Sequence, residues 1–511
     1  MYIHDSDITN RECGDAGGLE IAVTANSPSP VPPFEIFART ASETSGTVII
    51  PVTLTIPIPG VSPADLYHHL RQPQGFLLES MEGIPRRAVR SIIGCGQQEI
   101  FSLNGDEDGN AGPLDLIREY MAQSPLSGQA EHGFTGGLVG YCSYDMVSTL
   151  HKGRLESGKE ETCPLVRFMR ASVGIVLDHP AGTCTIFSSP RVSQGEDLKD
   201  IYCRASEEVL LIAARIGEVT QREQLELSDS TLDIPVVPLM NQGEYEEAVR
   251  TTLGHIRAGD IFQAVISQRF EAPYAGDPFN IYREVRDLNP SPYLYFLEFG
   301  DETIIGSSPE MLVKVDGDAL FTVPIAGTRP RGRDPAEDKR LADEMLADEK
   351  ERAEHLMLVD LARNDIGKVA AFGSVQVPSF MEVEKFSHVQ HLTSLVTGEI
   401  NDECDRFDAL ASCFPAGTVS GAPKLRAMQI IAEMEPHPRG LYAGAVGYIG
   451  FDDRLEFAIA IRTMIVRDGI ARIQAGAGIV ADSDPTREYE ETRQKAGALL
   501  SALNRASRRL A

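Results

Sequence analysis

Three strand-like segments near the end of the chain constrain the fold most. They are AGAVGYIGF at 443–451, RLEFAIAIRTMIV at 454–466 and ARIQAGAGIV at 471–480. Asp452-Asp453 and Asp468-Gly469 lie between them, and short turns of this kind join antiparallel strands. The middle segment predicts one continuous strand, with bulky residues on one face and alanines followed by Arg462 on the other. This part of the chain therefore predicts an antiparallel meander.

Helices are predicted in blocks rather than between single strands. Asn241 can cap a helix that ends at Gly259, and Asp484-Pro485 is a typical start for a final helix. A long acidic helix is predicted at about 335–362, with further helices near 405–412 and 422–434. Long antiparallel strands with separate helices indicate an α+β fold, in which large antiparallel β-sheets pack as a sandwich with flanking helices.

The composition predicts three sections. Residues 1–46 are rich in Ser, Thr, Gly and Pro and predict a flexible N-terminal extension. A first domain is expected at 47–225 and a second at 240–505, with a polar, proline-containing linker at 216–238.

The charge and the cysteines exclude several classes of function. Basic residues number 47 and acidic residues 75, so the net charge is −28, which argues against nucleic-acid and anionic-membrane partners. The eight cysteines include no C-x-x-C pair, which argues against zinc and dithiol centres. No signal peptide and no apolar run of membrane length is visible. We expect a soluble, cytoplasmic protein with reduced thiols.

Acidic residues at helical spacing provide a possible metal site. Glu354 lies at the edge of an apolar stripe within 349–365, and Glu488 and Glu491 share one face of the final helix. Two acids from separate helices can hold one Mg²⁺ and leave coordination positions for a substrate. The alternative is a pair of solvated helix faces with partners such as Glu491–Lys495, and spacing alone favours that alternative.

Other local patterns are compatible with an anion site. Arg462 beside alanines leaves room for a planar carboxylate, or it forms a structural ion pair. Gly476 and Gly478 allow a close approach of the backbone to a ligand, or they mark a bulge. GTVSGAPK at 417–424 lacks the lysine position of a phosphate loop, but its amides and Thr418 could hold a carboxylate.

Seven motifs in order resemble one known family. They are PIAGTRPRG (324–332), AEHLMLVDLARND (353–365), GTVSGAPKLRAMQ (417–429), GAVGYIG (444–450), IRT (461–463), QAGAGIV (474–480) and EYEETRQKA (488–496). Together they closely resemble the chorismate-utilising catalytic domain of the anthranilate synthase component I family. The resemblance covers roughly 240–500 and, more loosely, 50–220, and it implies that 240–505 is a chorismate-binding catalytic domain.

The resemblance also implies site residues. Glu354 and Glu491 resemble the ligands of a Mg²⁺ cofactor. Glu310 resembles the general acid that helps the C4 hydroxyl of chorismate to leave, His391 resembles a histidine linked to pyruvate elimination, and Thr418 resembles a supporting catalytic contact. The implied chorismate contacts are Gly327, Thr328, Tyr448, Arg462 and the backbone of Gly476, Ala477 and Gly478.

Two positions discriminate between branches of the family. Ala326 stands where the resembling aminodeoxychorismate synthases carry a nucleophilic lysine, and Gln263 where isochorismate and salicylate synthases carry a lysine base. The absence of both lysines favours direct addition of ammonia and formation of anthranilate in tryptophan biosynthesis. Aminodeoxychorismate synthase, aminodeoxyisochorismate synthase and a non-catalytic chorismate- or tryptophan-binding regulator stay open.

The same resemblance implies a regulator and a partner. LLES at 77–80 and NPSPYLYF at 289–296 resemble a tryptophan feedback site formed by Ser80, Pro292, Tyr293 and Leu294. No cysteine lies in the Gly-x-Cys-x-Gly elbow of a glutaminase, and Cys95 comes nearest. We therefore expect a separate glutamine amidotransferase subunit that supplies ammonia, and hence a hetero-oligomer.

Overall fold

The computed structural model describes residues 29–82, 87–95, 98–104, 111–127, 133–151, 155, 163–219, 234–386 and 389–508. In these ranges the α-helices are α1 (Phe34–Glu43), α2 (Pro63–Leu70), α3 (Pro113–Ala122), α4 (Val147–Leu150), α5 (Leu198–Gly217), α6 (Gln242–Ala258), α7 (Pro278–Leu288), α8 (Pro335–Ala347), α9 (Glu349–Gly367), α10 (Arg406–Cys413), α11 (Lys424–Met434) and α12 (Pro485–Arg508). No helix in this part of the chain is long and apolar enough to cross a membrane.

The strands of the first half are β1 (Val48–Ile49), β2 (Val52–Pro57), β3 (Phe76–Glu82), β4 (Arg87–Gly94), β5 (Glu99–Leu103), β6 (Gly137–Cys142), β7 (Val166–Ala171), β8 (Val173–Asp178), β9 (Thr183–Ser188) and β10 (Arg191–Val192). Those of the second half are β11 (Val237–Pro238), β12 (Gln263–Pro273), β13 (Tyr293–Glu298), β14 (Glu302–Ser308), β15 (Met311–Asp316), β16 (Ala319–Thr322), β17 (Ile325–Pro330), β18 (Gln376–Lys385), β19 (Val389–Glu399), β20 (Gly421–Ala422), β21 (Ala445–Gly450), β22 (Arg454–Ile459), β23 (Thr463–Arg467) and β24 (Ile470–Ile479).

Two large antiparallel sheets form the centre of the described structure. The larger has the order β11-β12-β24-β23-β14-β13-β3-β4-β8-β9-β2, with β20 beside β12. The smaller has the order β17-β19-β16-β15-β22-β21-β6-β7-β5, with β18 beside β19. Both contain strands from both halves of the chain, since β3 pairs with β13 and β6 with β21. The predicted segments 47–225 and 240–505 therefore share their sheets and do not form two separate cores.

The sheets pack face to face, which confirms the predicted α+β sandwich. Buried side chains between them include Phe76 and Tyr295 of the larger sheet and Val139, Met169 and Val446 of the smaller. Helices α2, α5, α7 and α12 cover the outer face of the larger sheet. Helices α3, α9, α10 and α11 contribute to the core on the outer face of the smaller sheet.

The helix ends follow the sequence signals in most places. Asn241 accepts a hydrogen bond from the Glu244 N–H and caps α6, which ends at Gly259 with φ 82°. Helices α10, α11 and α12 lie where helices are predicted. The predicted long acidic helix is instead divided into α8 and α9, because the Asp348 carboxylate accepts from two backbone N–H groups and caps α9.

The predicted flexible extension over 1–46 is wrong for its last part. Residues 34–43 form α1, in which Phe37 is buried. The rings of Phe34 and Phe37 both contact Tyr202 of α5. Two aromatic side chains one helical turn apart provide enough apolar surface to dock this segment, despite its polar composition. Residues 1–28 lie outside the described residues. The predicted linker is ordered at both described ends, as α5 and β11, while 220–233 lie outside the described residues.

A second difference concerns the meander. The segment predicted as one strand at 454–466 is two strands in different sheets, because β22 belongs to the smaller sheet and β23 to the larger. The chain crosses between the sheets at Arg462, whose φ is 52°. Strand β23 pairs with β24 only as far as Ile473, whereas β12 pairs with β24 as far as Ile479. Beside the crossing, the part of β24 after Ile473 is therefore not paired with β23, and this edge of β24 is open.

Candidate active site

A cavity of about 410 Å³ lies at this crossing. The side chains or backbone of ten predicted site residues line it: Glu310, Gly327, Thr328, Glu354, His391, Thr418, Arg462, Gly476, Gly478 and Glu491. They come from β17, β19, β24, α9, α12, the loops after β14 and α10, and the crossing between β22 and β23. Ala326 and Gln263 line the same cavity, so both positions that discriminate between branches face the site and neither is a lysine.

Glu310 is a buried acid that follows β14. Its backbone carbonyl accepts from the Ile459 N–H at 3.0 Å, and the residue is 7% exposed. Burial raises the pKa of its carboxyl to about 8, and the nearby Thr418 hydroxyl partly opposes that rise. The carboxyl is therefore protonated near neutral pH and can donate a proton into the cavity.

His391 is oriented by a glycine of the adjacent strand. Strand β17 is irregular against β19 between Ala326 and Arg329, and Gly327 there has a φ of 63°. His391 Nδ1 lies 2.7 Å from the Gly327 carbonyl oxygen and 3.1 Å from Thr328 Oγ1. A proton on Nδ1 donates to that carbonyl, which makes Nε2 the basic nitrogen of the neutral ring.

Three glutamates from two helices line one side of the cavity. They are Glu351 and Glu354 of α9 and Glu491 of α12. Glu351 pairs with Arg329 at 2.9 Å, and Glu491 pairs with Lys495 at 2.7 Å. The ion pair expected from solvated helix faces thus exists, yet Glu491 also faces the cavity. Spacing alone did not separate the two possibilities, because the same side chain can form an i,i+4 ion pair and line a cavity; the metal site stays a prediction.

The glutamates fit a hard divalent cation. Burial is the main cause that raises the pKa of Glu354, and the negative charges of Glu351 and Glu491 raise it further. A dication would relieve this repulsion, and carboxylate oxygens are the ligands that Mg²⁺ prefers. Among the described residues no three potential ligand side chains form a ready-made metal cluster. Two protein carboxylates would therefore have to share the ion with substrate and water.

Arg462 provides positive charge beside α12, the helix that carries Glu491. Its Nη1 donates to the Lys495 carbonyl at 2.6 Å, so this bond does not neutralise the guanidinium. Burial lowers the pKa of Arg462, while the nearby Tyr442 and Glu491 raise it. A charged group that is mostly removed from water and bonded to a carbonyl is suited to an anionic ligand.

Glycines on β24 allow the backbone to line the cavity closely. A Cβ on Gly476 would lie 2.7 Å from Tyr442 Oη, and a Cβ on Gly478 would lie 2.8 Å from Gln263 Nε2. Ala477, between them, is fully buried in the core on the other face of the strand. The Ala477 side chain therefore lies away from the cavity, and its backbone contact with chorismate stays a prediction.

Tyr448 does not belong to this cavity, which corrects its predicted role. Its ring lies between the sheets, 5.1 Å from that of Phe134, and its hydroxyl donates to Glu456 at 3.3 Å. Tyr442 lines the cavity instead. Strand β21 directs Tyr448 to the sandwich interior together with Val446, whereas Tyr442 lies in the loop before that strand. The sequence RGLYAGAVGY contains both tyrosines, and only the strand boundary distinguishes them.

Sequence reasoning also missed several lining residues. Glu351, Gln474 and Lys495 line the cavity beside Tyr442. Lys495 Nζ donates to the Gly476 carbonyl at 2.9 Å and so ties α12 to β24. Its position four residues after Glu491 was the available signal, but it indicated only a surface ion pair.

The predicted regulatory residues lie at a second place, between the sheets. Ser80 of β3 is opposite Tyr293 of β13, and the Met81 N–H donates to the Pro292 carbonyl at 3.1 Å. The Tyr293 hydroxyl donates to Glu456 at 3.2 Å, the carboxylate that Tyr448 also contacts.

Leu294 faces away from this group. It is buried in the core on the outer face of the larger sheet, because alternate residues of a strand point to opposite faces. The structure thus brings Ser80, Pro292 and Tyr293 together and directs the Leu294 side chain elsewhere.

Comparisons with known proteins agree over most of the chain. A family model described as chorismate binding enzyme matches residues 73–501. Anthranilate synthase component 1 of Geobacillus stearothermophilus is 41% identical over 472 residues, which cover 88% of this chain and 92% of that protein. The component 1 of Thermus thermophilus is 43% identical over 446 residues, which cover 85% of this chain and 93% of that protein.

Two solved structures are similar to this chain over most of its length. Anthranilate synthase component I from Streptococcus pneumoniae TIGR4 superposes with a TM-score of 0.72 at 39% identity, covering 82% of this chain and 93% of that chain. The menaquinone-specific isochorismate synthase of Escherichia coli has a TM-score of 0.67 at 20% identity, covering 92% of this chain and 98% of that chain. The second likeness establishes the fold alone.

Proposed function

Because the chain belongs to the chorismate-binding enzyme family, with anthranilate synthase component 1 proteins as relatives over most of its length, we propose that it makes anthranilate. The substrates are chorismate and ammonia, and the products are anthranilate, pyruvate and water. One observation carries this choice: buried Glu310 faces a cavity in which Ala326 and Gln263 replace both lysine positions. The site thus holds an acid for the leaving hydroxyl and no lysine at those positions to compete with ammonia.

The reaction divides into two halves. In the first, the nitrogen of ammonia bonds to C2 of the ring, the double bonds shift, and the C4 hydroxyl leaves as water with the Glu310 proton. In the second, the C2 proton is removed, the ring becomes aromatic, and the C3–oxygen bond breaks to release pyruvate. His391 Nε2 is placed to accept that proton, since Nδ1 is held by the Gly327 carbonyl.

Binding relies on positively and negatively charged groups that line the same cavity. Arg462 and the open backbone of Gly476 and Gly478 bind carboxylate groups of chorismate, and Thr328 and Tyr442 add hydroxyl contacts. Glu354 and Glu491 would hold Mg²⁺, which supplies positive charge against a substrate carboxylate when bound. This arrangement concentrates positive charge locally in a chain whose net charge is −28.

The partner and the regulator complete the proposal. A separate glutaminase subunit delivers ammonia in a hetero-oligomer, because no cysteine of the sequence lies in a glutaminase elbow. Tryptophan inhibits by binding between the sheets at Ser80, Pro292 and Tyr293, where aromatic and aliphatic side chains pack beside Glu456 and Tyr448. The reaction takes place in the cytoplasm, where thiols such as buried Cys95 and Cys142 stay reduced.

Product analysis by mass tests the proposal. The purified chain is incubated with chorismate, MgCl₂ and an ammonium salt, and glutamine replaces ammonium in a parallel reaction. Anthranilate and pyruvate should form with ammonium, and glutamine should give neither without the partner. Aminodeoxychorismate or aminodeoxyisochorismate as the final product would identify another branch of the family. Chorismate binding without turnover would identify a non-catalytic regulator.

A further inference from the structure

A buried arginine lies behind the wall of the catalytic cavity, on the loop before Tyr442. The Arg439 side chain is 2% exposed and pairs with Glu435 at 2.7 Å. Its Nε and Nη2 donate to the two carboxylate oxygens of Glu435. Burial of an ion pair costs desolvation energy that apolar side chains of similar volume would not. A buried pair is therefore weak support for stability, and its position beside the cavity points to another role.

The other donor contacts of Arg439 reach two carbonyls in the cavity wall. Nη1 donates to the Val419 carbonyl at 2.7 Å, and Nη2 donates to the Val265 carbonyl at 2.6 Å. Val419 follows Thr418 in the turn after α10, and Val265 lies on β12. The Val265 N–H in turn donates to the Ser420 carbonyl at 2.9 Å. One planar guanidinium therefore sets the spacing between β12 and the turn that carries Thr418.

Glu435 extends the same network to a third wall. It accepts from both the backbone N–H and the hydroxyl of Ser267, each at 2.8 Å. Gln474 Nε2 donates to the Ser267 hydroxyl at 2.8 Å, and Gln474 lines the cavity. The Arg439 guanidinium also lies 5.4 Å from the ring centroid of Tyr442. Each chain of contacts that starts at Arg439 or Glu435 therefore ends at a residue that lines the cavity.

We propose that Arg439, held by Glu435, is a positioning residue for the reaction. It fixes Thr418 against Glu310 and fixes Tyr442 against the open edge of β24, without touching substrate. This inference rests on the proposed function, because Thr418 and Glu310 act as catalytic groups only there. The guanidinium is required since it donates to a carboxylate and two carbonyls at once, in directions that a single ammonium cannot reproduce.

Arg439→Lys tests the proposal because it keeps the positive charge and removes the planar guanidinium with its several N–H donors. With chorismate, MgCl₂ and ammonium, kcat should fall by about 10²-fold, the loss expected from a small misplacement of catalytic groups. KM for chorismate should change much less than kcat. Arg167→Lys is the matched control: Arg167 is 11% exposed and pairs with buried Glu302 at 2.7 Å, away from the cavity. The control should lower the melting temperature and keep both kinetic constants.

A double-mutant cycle separates positioning from general structure. If Arg439 acts through Thr418, then Arg439→Lys should add little further loss of kcat to a Thr418→Val variant. Losses that multiply would overturn the proposal. So would an Arg439→Lys variant that, like the control, changes only the melting temperature.

Ser267→Ala keeps the test decisive if Arg439→Lys does not fold. It removes one hydroxyl from the network and should lower kcat/KM about fivefold, the value of one hydrogen bond. Unchanged kinetics in this variant would overturn the proposal. The product formed by the wild-type chain tests the proposed function separately. If the wild type converts chorismate to another product, the variants are compared by their rates of chorismate consumption.

Discussion

The candidate cavity and the inter-sheet region around Ser80 and Tyr293 are built from different strands of the same two sheets and hold different chemistry. The cavity collects charged groups where the chain changes sheets at Arg462. The inter-sheet region is lined by aromatic and aliphatic side chains, and Glu456 accepts from its two tyrosine hydroxyls.

The difference separates two uses of buried polar groups. In the cavity, charged groups are buried at a cost to stability, which fits the catalytic roles proposed for them. Between the sheets, apolar packing dominates, and only a few polar atoms are available to select the proposed inhibitor. Substitutions in the cavity should therefore change catalysis, whereas substitutions between the sheets should change regulation.

The largest effect should come from the glutamates of the cavity. Glu491→Gln or Glu354→Gln removes one of the two carboxylates proposed for Mg²⁺, and turnover in excess MgCl₂ should fall by more than the roughly 10⁴-fold that one general acid can contribute. Glu490→Gln is the matched control, because Glu490 is the exposed neighbour of Glu491. Anthranilate fluorescence measures the rate, and melting temperatures should stay close to wild type. Full activity of both cavity variants would refute the metal assignment.

His391→Met should divide the reaction into its halves. Methionine keeps bulk and removes the titratable ring, so the second half should slow by about 10²–10⁴-fold while the first proceeds. Aminodeoxyisochorismate, with pyruvate still attached, should accumulate in quenched reactions analysed by mass. Untouched chorismate would place His391 in the first half, and a normal rate of anthranilate formation would make it structural.

The pH dependence should report on Glu310. Its pKa of about 8 lies above the ordinary value of 4.5 because the carboxyl is buried. The protonated acid is the active form, so kcat/KM should fall as pH rises through about 8. The folded state also binds this proton more tightly than the unfolded chain, so its stabilising contribution is complete below pH 4.5 and is lost as pH rises to about 8.

Glu310→Gln provides the control for that pH effect. The variant should be inactive, and its free energy of unfolding should decline less with pH than that of the wild type across the same window. Urea unfolding at several pH values measures both slopes. Equal slopes, or a wild-type rate without an alkaline decline, would contradict the buried-acid assignment.

Ser80→Phe should act on regulation alone. The larger side chain fills the space beside Tyr293 and should relieve tryptophan inhibition, while the uninhibited rate stays within about twofold because the cavity is not changed. Inhibition curves at fixed chorismate measure this. In wild type, equilibrium titrations should show that each ligand weakens the other by the same factor. Unequal factors, or full inhibition of the variant, would show that tryptophan binds elsewhere.

The smallest effects should distinguish the two tyrosines. Tyr442→Phe removes a hydroxyl from the cavity and should raise KM for chorismate about fivefold, the value of one hydrogen bond. Tyr448→Phe removes the contact with Glu456 and should leave KM unchanged while it weakens tryptophan inhibition by a similar factor. The reverse pattern would restore the role first predicted for Tyr448.

The sequence predicted those features that depend on local or motif signals. Helix starts at Asn241 and Asp484 followed from capping chemistry, and the antiparallel sandwich followed from strand and turn patterns. Most predicted site residues meet in the cavity because the motifs that carry them are short and specific. Sequence reasoning failed where tertiary packing decides: a continuous strand pattern cannot reveal that the chain crosses between sheets at Arg462.

The other errors have the same origin. The two tyrosines of RGLYAGAVGY differ only in which side of a strand boundary they occupy. Docking of α1 depends on Tyr202, far away in sequence. The network of Arg439 joins separate segments of the chain, so no single motif contained it.

The pairing of β3 with β13 and of β6 with β21 has a consequence for synthesis of the chain. Gln268 of β12 donates to Thr492 of α12, 224 residues away, so much of the structure depends on contacts between segments made at different times. Such long-range topology slows folding, and the edges of β3 and β6 lack their partner strands until the second half emerges from the ribosome. An isolated first half should therefore be prone to aggregation. The wall formed by β24 and Glu491 of α12 is synthesised after the other walls, so the cavity is completed only once α12 has been made.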